Sequence, residues 1–160
     1  MKLTQFLIIS VISILVVSSC GSKAKSSDSF DINAEKDKNG TSVKASTRVD
    51  LENKGVGPIK ELTLPSEIDA ELAASGKELY EEYCTLCHKP EVDFIGPAPK
   101  GVLKRRTPEW VMNMILDPGR MLRDDPLAKE LFMEFNGSPM SDQGMTEAQA
   151  RAILEYFRTL

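Results

Sequence analysis

Cysteines at positions 84 and 87 and the chain's single histidine, His88, stand together in the stretch CTLCHKP. Three chemistries use these residue types at this spacing: a dithiol redox pair, half of a zinc site, or covalent attachment of a porphyrin. On helical geometry positions 84, 87 and 88 fall on roughly one side. Two thiols placed there can add to the two vinyl groups at one porphyrin edge, leaving the imidazole beneath the iron. C-x-x-C-H is the attachment signature of c-type haem. A zinc site needs four ligands, usually from a second Cys or His pair, and none follows residue 88. A thioredoxin-like dithiol sits at a strand-to-helix junction, and no convincing strand pattern occurs here. Cys84 and Cys87 are therefore read as thioether residues for one haem c, and His88 as an axial ligand of its iron.

With one histidine, bis-histidine ligation within the chain is excluded. Methionine is the common alternative and raises the reduction potential. Met112, Met114 and Met133 fall inside predicted helices, where core packing is their expected role. Met121 precedes a predicted helix. Met140 and Met145 flank the loop NGSPMSDQGM. Met145 directly precedes a helix cap, a place for an apolar staple. Met140, in a Gly/Pro-containing loop free to reach across a haem face, is the favoured second ligand.

The elements that must position these groups read as helices joined by loops, an all-α domain. Ser66, with Asp69 three residues on, predicts the first helix, with Ile68, Leu72, Gly76, Leu79 and Tyr83 on its buried face. Thr107 and Pro108 start a second, with a stop at Asp117-Pro118. Asp125 and Pro126 start a third. Thr146 and Gln149 form the capping box of the last. There Ile153, Tyr156, Phe157 and Leu160 make the buried face, while Glu147, Arg151 and Glu155 pair along the wet one.

Upstream, the 160 residues divide in three. Residues 1–19, with Lys2 and an apolar run from Phe6 to Val17, read as a signal peptide; the run is shorter than the roughly 20 residues of a membrane span. It ends in VSSC, which resembles a bacterial lipoprotein cleavage box and implies lipidation of Cys20. Residues 20–54 are Ser-, Lys-, Asp- and Asn-rich, without apolar period, and read as a disordered tether. Residues 55–160 form the haem domain, with GVGPIKELTLP as an ordered extension lying against it. In an exported, oxidising compartment a Cys84–Cys87 pair alone would normally be a disulfide; His88 signals another fate. The net charge is −4, and no basic patch points to nucleic acid.

From Gly76 onward the chain resembles the class I c-type cytochromes. GKELYEEYCTLCH resembles the family's first helix and RAILEYFRTL its last; in the family these helices cross at a glycine, here Gly76. IGP resembles the stretch whose proline carbonyl, here that of Pro97, accepts a hydrogen bond from the ligand imidazole. SPMSDQGMTEAQ resembles the ligand loop, matching Met140, although no proline follows that methionine and one precedes it instead. The resemblance implies haem-propionate contacts for Arg105, Arg106 and Trp110; a solvated basic turn and a core tryptophan are the equal alternative. RRTPEWVMNMILDP and GVGPIKEL further resemble lipoprotein cytochromes of Bacteroidetes-type bacteria, several of them linked to nitrous oxide reduction. The implied function is a periplasm-facing, lipid-anchored monohaem electron carrier in the cell envelope. The outer membrane is preferred, because Ser22 carries no acidic retention cue. Redox proteins of unnamed identity are the expected partners. The alternatives are a dedicated haem subunit of a reductase (nitrous oxide reductase among them) or terminal oxidase, and a haem enzyme with an open distal site.

Overall fold

Local capping chemistry starts every helix in the computed structural model, which describes residues 43–160. The leader, Cys20 and the first part of the tether lie outside the described residues. In chain order the helices are α1 (Ala70–Tyr83), α2 (Pro108–Leu116), α3 (Pro118–Asp124), α4 (Pro126–Glu134) and α5 (Glu147–Phe157), with a 3-10 turn at Val102–Lys104. The side chains of Asp69, Thr107, Asp117, Asp125 and Thr146 each accept a hydrogen bond from a backbone N–H of the first turn. That bond satisfies a donor the helix itself cannot use. Among the described residues there is no strand, only an isolated bridge between Asp50 and Arg106.

Two expected boundaries are corrected. Asp69, not Ser66, caps α1. Asp117-Pro118 is not simply a stop: Asp117 ends α2 and caps α3, because proline at a first helical position lacks only an N–H that had no helical partner. Met121 thus lies within a helix and is fully buried.

α1 and α5 cross at Gly76. A Cβ there would stand 1.9 Å from the carbonyl oxygen of Ala152, so only glycine lets the two backbones meet. The contact sets the buried face of α1 as Ala73, Gly76 and Tyr80. Ile68 and Tyr83, expected on that face, are exposed. The Tyr80 ring packs against Tyr156 and Phe157, at centroid distances of 5.4 and 5.7 Å, a geometry aromatic pairs favour.

Glu155 corrects the expected wet face of α5: it is fully buried. Its carboxylate accepts from Arg151 at 2.5 Å, Arg158 at 2.6 Å and the Asp69 amide at 2.8 Å. Arg158 in turn donates to the carbonyls of Pro65, Ser66 and Glu67, tying the entry of α1 to the end of α5.

The tether reading also needs correction at its downstream end. Residues 43–54 are packed against the domain, with Ala45 and Ser46 buried. The Ser46 amide and hydroxyl donate to Glu134 at 2.9 and 2.5 Å, and Arg48 pairs with Glu130 at 2.8 Å. The extension that follows lies against α2 as expected. Asn113 of α2 accepts from Ile59 N at 2.9 Å and donates to the Lys54 and Ile59 carbonyls, also at 2.9 Å. Val56, Ile59, Leu62 and Leu64 pack on the core.

Burial alone pushes the Glu155 carboxyl up, but hydrogen bonds from Arg158, Asp69 and Arg151 outweigh it and hold the group below its ordinary value. The stability gained is full above that ordinary value of 4.5 and is lost as pH falls through the lower folded value. Glu155→Gln is therefore expected to cost about 1–3 kcal/mol at neutral pH. Urea unfolding across pH should show the gap from wild type closing below pH 4.5.

Candidate functional site

α1 delivers the cysteine motif directly. Its end continues as one further turn: Cys84 N donates to Tyr80 O at 2.9 Å, Cys87 N to Cys84 O at 3.1 Å and His88 N to Cys84 O at 2.9 Å. The Tyr80 hydroxyl, buried under α5, donates to the His88 carbonyl at 2.9 Å and fixes the turn from inside.

Both cysteines and His88 line a cavity of about 1550 Å³, its open mouth included. Its walls are mostly apolar and come from the α1 end, the 95–106 loop, α2, α4, the 138–143 loop and α5. Cys84 and Cys87 are free and partly buried. Burial, then the neighbouring Cys87, pushes the Cys84 thiol up to about 11. A reactive dithiol needs the opposite shift. No cluster of three metal-binding His, Cys, Asp or Glu side chains exists among the described residues.

His88 Nδ1 lies 2.8 Å from the Pro97 carbonyl oxygen. A carbonyl only accepts, so Nδ1 carries the proton and Nε2 keeps its lone pair for a metal. Gly96 makes that approach possible, because a Cβ there would fall 2.4 Å from His88 Cε1. The Gly96 amide closes the loop by donating to Cys87 O at 3.0 Å.

The methionines separate as their surroundings dictate. Met112, Met121 and Met145 are buried in the core; Met145, next to the Thr146 cap, packs there as a staple should. Met133, expected in the core, is 68% exposed. Met140 lines the cavity, as does Met114, whose place there was not foreseen. The Met140 loop leaves α4 through Asn136 and Gly137, both at positive φ, and is pinned by Gly137 N to Phe132 O at 2.8 Å.

Arg105, Arg106 and Trp110 all border the cavity. The Trp110 indole N–H donates to Asp125 Oδ1 at 3.2 Å, so the hydrogen expected for a propionate is already engaged and Trp110 serves as a core residue. Arg105, partly exposed, spends two donors on the Lys100 and Ala98 carbonyls at 3.0 and 3.2 Å. Arg106 is buried and donates to the carbonyls of Arg48, Arg105 and Ala45.

Two thiols and a tautomer-fixed imidazole at one end of an apolar cavity, with a loop methionine in its wall, fit a covalently attached porphyrin. Met140 can supply a thioether sulfur as the second iron ligand, after the His88 nitrogen.

The cytochrome c family model matches residues 73–160. Among solved structures, a cytochrome c from Rhodothermus marinus is 47% identical with a TM-score of 0.62, covering 64% of this chain and 88% of its own. An engineered form from the same source, Rma TDE, is 46% identical with a TM-score of 0.62, covering 64% and 89%. The engineered form bound to a carbene intermediate is 45% identical with a TM-score of 0.60, covering 64% and 88%. A search of curated proteins gave no match.

The site predicts that haem survives acid-acetone extraction in the wild-type protein and is lost from a Cys84→Ser, Cys87→Ser variant. Met140→Ala should abolish the far-red thioether charge-transfer band and lower the potential, because thioether ligation favours ferrous iron. Met145→Ala should keep the band and lose about 1–3 kcal/mol of stability. Spectra and thermal melts of the two variants, side by side, decide the ligand.

Proposed function

Because the chain belongs to the cytochrome c family and carries one covalently attached haem c, we propose that it is a periplasm-facing, lipid-anchored monohaem electron carrier. Bound haem supplies one-electron storage at iron. The chain's residues decide how that storage is used. Cys84 and Cys87 would hold the group, and the Pro97 carbonyl holds the His88 tautomer that leaves Nε2 free to bind the metal. Met140 would supply the second iron ligand, which would keep substrates off the iron. The carrying observation is that Met140, brought from a distant loop, shares one cavity wall system with Cys84, Cys87 and His88. An enzyme with an open distal side would need that place vacant. The carbene belongs to an engineered relative and is no guide to the natural role here.

Partner choice follows from the cavity mouth. Tyr83, Leu86 and Ile95 line it and are exposed, with Val92 and Phe94 beside them; Leu86, between the two cysteines, is 81% exposed. Glu81, Glu82, Glu91 and Asp93, next to these residues in sequence, are exposed. Lys77 pairs with Glu81 at 3.7 Å and Lys100 with Glu91 at 2.7 Å, while Lys89 sits 5.1 Å over the Phe94 ring. Glu82 and Asp93 have no cationic partner among the described residues. A redox partner with a basic rim around an apolar centre complements this face. Fields of this kind steer encounter more than they set affinity.

Electron transfer to a small lysine-rich redox protein should therefore slow as salt rises, since screening shortens with ionic strength. A Glu82→Lys, Asp93→Lys variant should be roughly tenfold slower at low salt and should match wild type at high salt. Stopped-flow rates against ionic strength test this; an unchanged slope would reject the surface. For the anchor, Cys20→Ser should move the protein from membrane to soluble fractions or stall its processing. Membrane retention with normal processing would reject lipidation.

A further inference from the structure

Between Ser138 and Gln143 the loop that carries Met140 makes no hydrogen bond to a distant element among the described residues. Its bonds stay within the loop or run back to the end of α4. Where Met140 stands is therefore set by the two ends of the loop. One end is the start of α5, fixed by the Thr146 and Gln149 capping box and by buried Met145. The other is the end of α4, where the chain turns at positive φ through Asn136 and Gly137. Among the helices, α4 packs closely on α3 alone.

What runs along α4 is the segment 43–54. Asn53 donates to Asp125, the cap of α4, at 2.8 Å. Arg48 pairs with Glu130, mid-helix, at 2.8 Å. The Ser46 amide and hydroxyl donate to Glu134, the last residue of the helix, at 2.9 and 2.5 Å. The order 53, 48, 46 against 125, 130, 134 is that of a splint laid antiparallel along the whole of α4. Both side chains of the Arg48–Glu130 pair are nearly buried, 11% and 14% exposed, so salt screens it little. The splint is held on its other side by the turn before α2: Arg106 donates to the Ala45 and Arg48 carbonyls, and the Thr107 hydroxyl to Asn53 O at 2.6 Å. None of it belongs to residues 73–160, the part matched by the family.

We propose that this segment sets how often Met140 leaves the iron: Ser46 and Arg48, acting through Glu134 and Glu130, are positioning residues for the second iron ligand. The inference rests on haem occupying the cavity and on Met140 as ligand. With the splint in place the loop has one take-off point from α4. With it loosened, the end of α4 samples more positions and the sulfur is displaced more often.

The test titrates full-length, haem-loaded ferric protein with imidazole. Imidazole takes the position of the sulfur, so its apparent Kd falls as the fraction of molecules with the sulfur displaced rises. Glu130→Ala with Glu134→Ala removes both ties and keeps a good helix former at each position. This variant should bind imidazole at least about tenfold more tightly than wild type. In a Met140→Ala background the same two substitutions should change nothing, because no sulfur remains to displace. Glu155→Gln, which weakens the domain near the end of α5, should keep the wild-type imidazole affinity; a general loosening would move both. An unchanged Kd in the Glu130→Ala, Glu134→Ala variant overturns the splint. So does an equal tightening in the Met140→Ala background or in Glu155→Gln. If the double variant does not fold, Ser46→Ala, which removes a single hydroxyl donor, takes its place with the same two controls, and a wild-type affinity there overturns the proposal. Met140→Ala that binds imidazole no better than wild type would refute Met140 as the ligand, and the splint's role with it.

Discussion

No side chain fits between α1 and α5 at Gly76, and most of the site depends on that contact. With the backbone of Ala152 against it, α1 has one rotation and one depth relative to α5. Tyr80, one turn further on, is thereby put under Tyr156 and Phe157 with its hydroxyl on the His88 carbonyl. The cysteine motif starts where that turn ends. A β-carbon at position 76 would shift the crossing, and the shift would be felt at the imidazole, because interiors packed at crystal density transmit displacement instead of absorbing it.

A second close approach completes the proximal side. Gly96 lets its own backbone lie against the His88 ring, and the Pro97 carbonyl next to it takes the Nδ1 proton. Two glycines, twenty residues apart in sequence, thus do related work. One admits a helix and the other admits a ring. The wall bearing Met140 is built differently: it comes from a loop held at its ends by the left-handed residues Asn136 and Gly137 and by the capped start of α5. A tightly held imidazole at His88 and a loop-borne sulfur at Met140 follow from where the chain can place backbone close to the cavity.

What could be read in the sequence was local. The motif Cys84, Cys87 and His88, the caps at Thr107, Asp125 and Thr146, and the staple at Met145 each need only a few neighbours. The Pro97 contact came through resemblance and the geometry has it. What escaped was settled by distant partners. Ser46 and Arg48 look like linker residues, and only Glu134 and Glu130, more than eighty residues later, make them part of the body. Glu155 sits at a spacing that suits a wet face, yet Arg158 and the Asp69 amide draw it inside. α3 was missed because proline after aspartate was read as an ending when it was also a beginning. For Trp110 the sequence leaves a haem contact and a core role equal, and Asp125 engages its indole hydrogen.

The prolines at the starts of α2, α3 and α4 have an effect that is felt before the chain folds. Each fixes one φ near its helical value and narrows the residue before it. Such substitutions stabilise by about 0.4–1 kcal/mol each, by removing conformations from the denatured ensemble. The helices concerned have nine, seven and nine residues, too short to persist alone in water. The unfolded chain is thus already restricted in the segment that will form a large part of the pocket wall. The contacts that follow have less disorder to overcome.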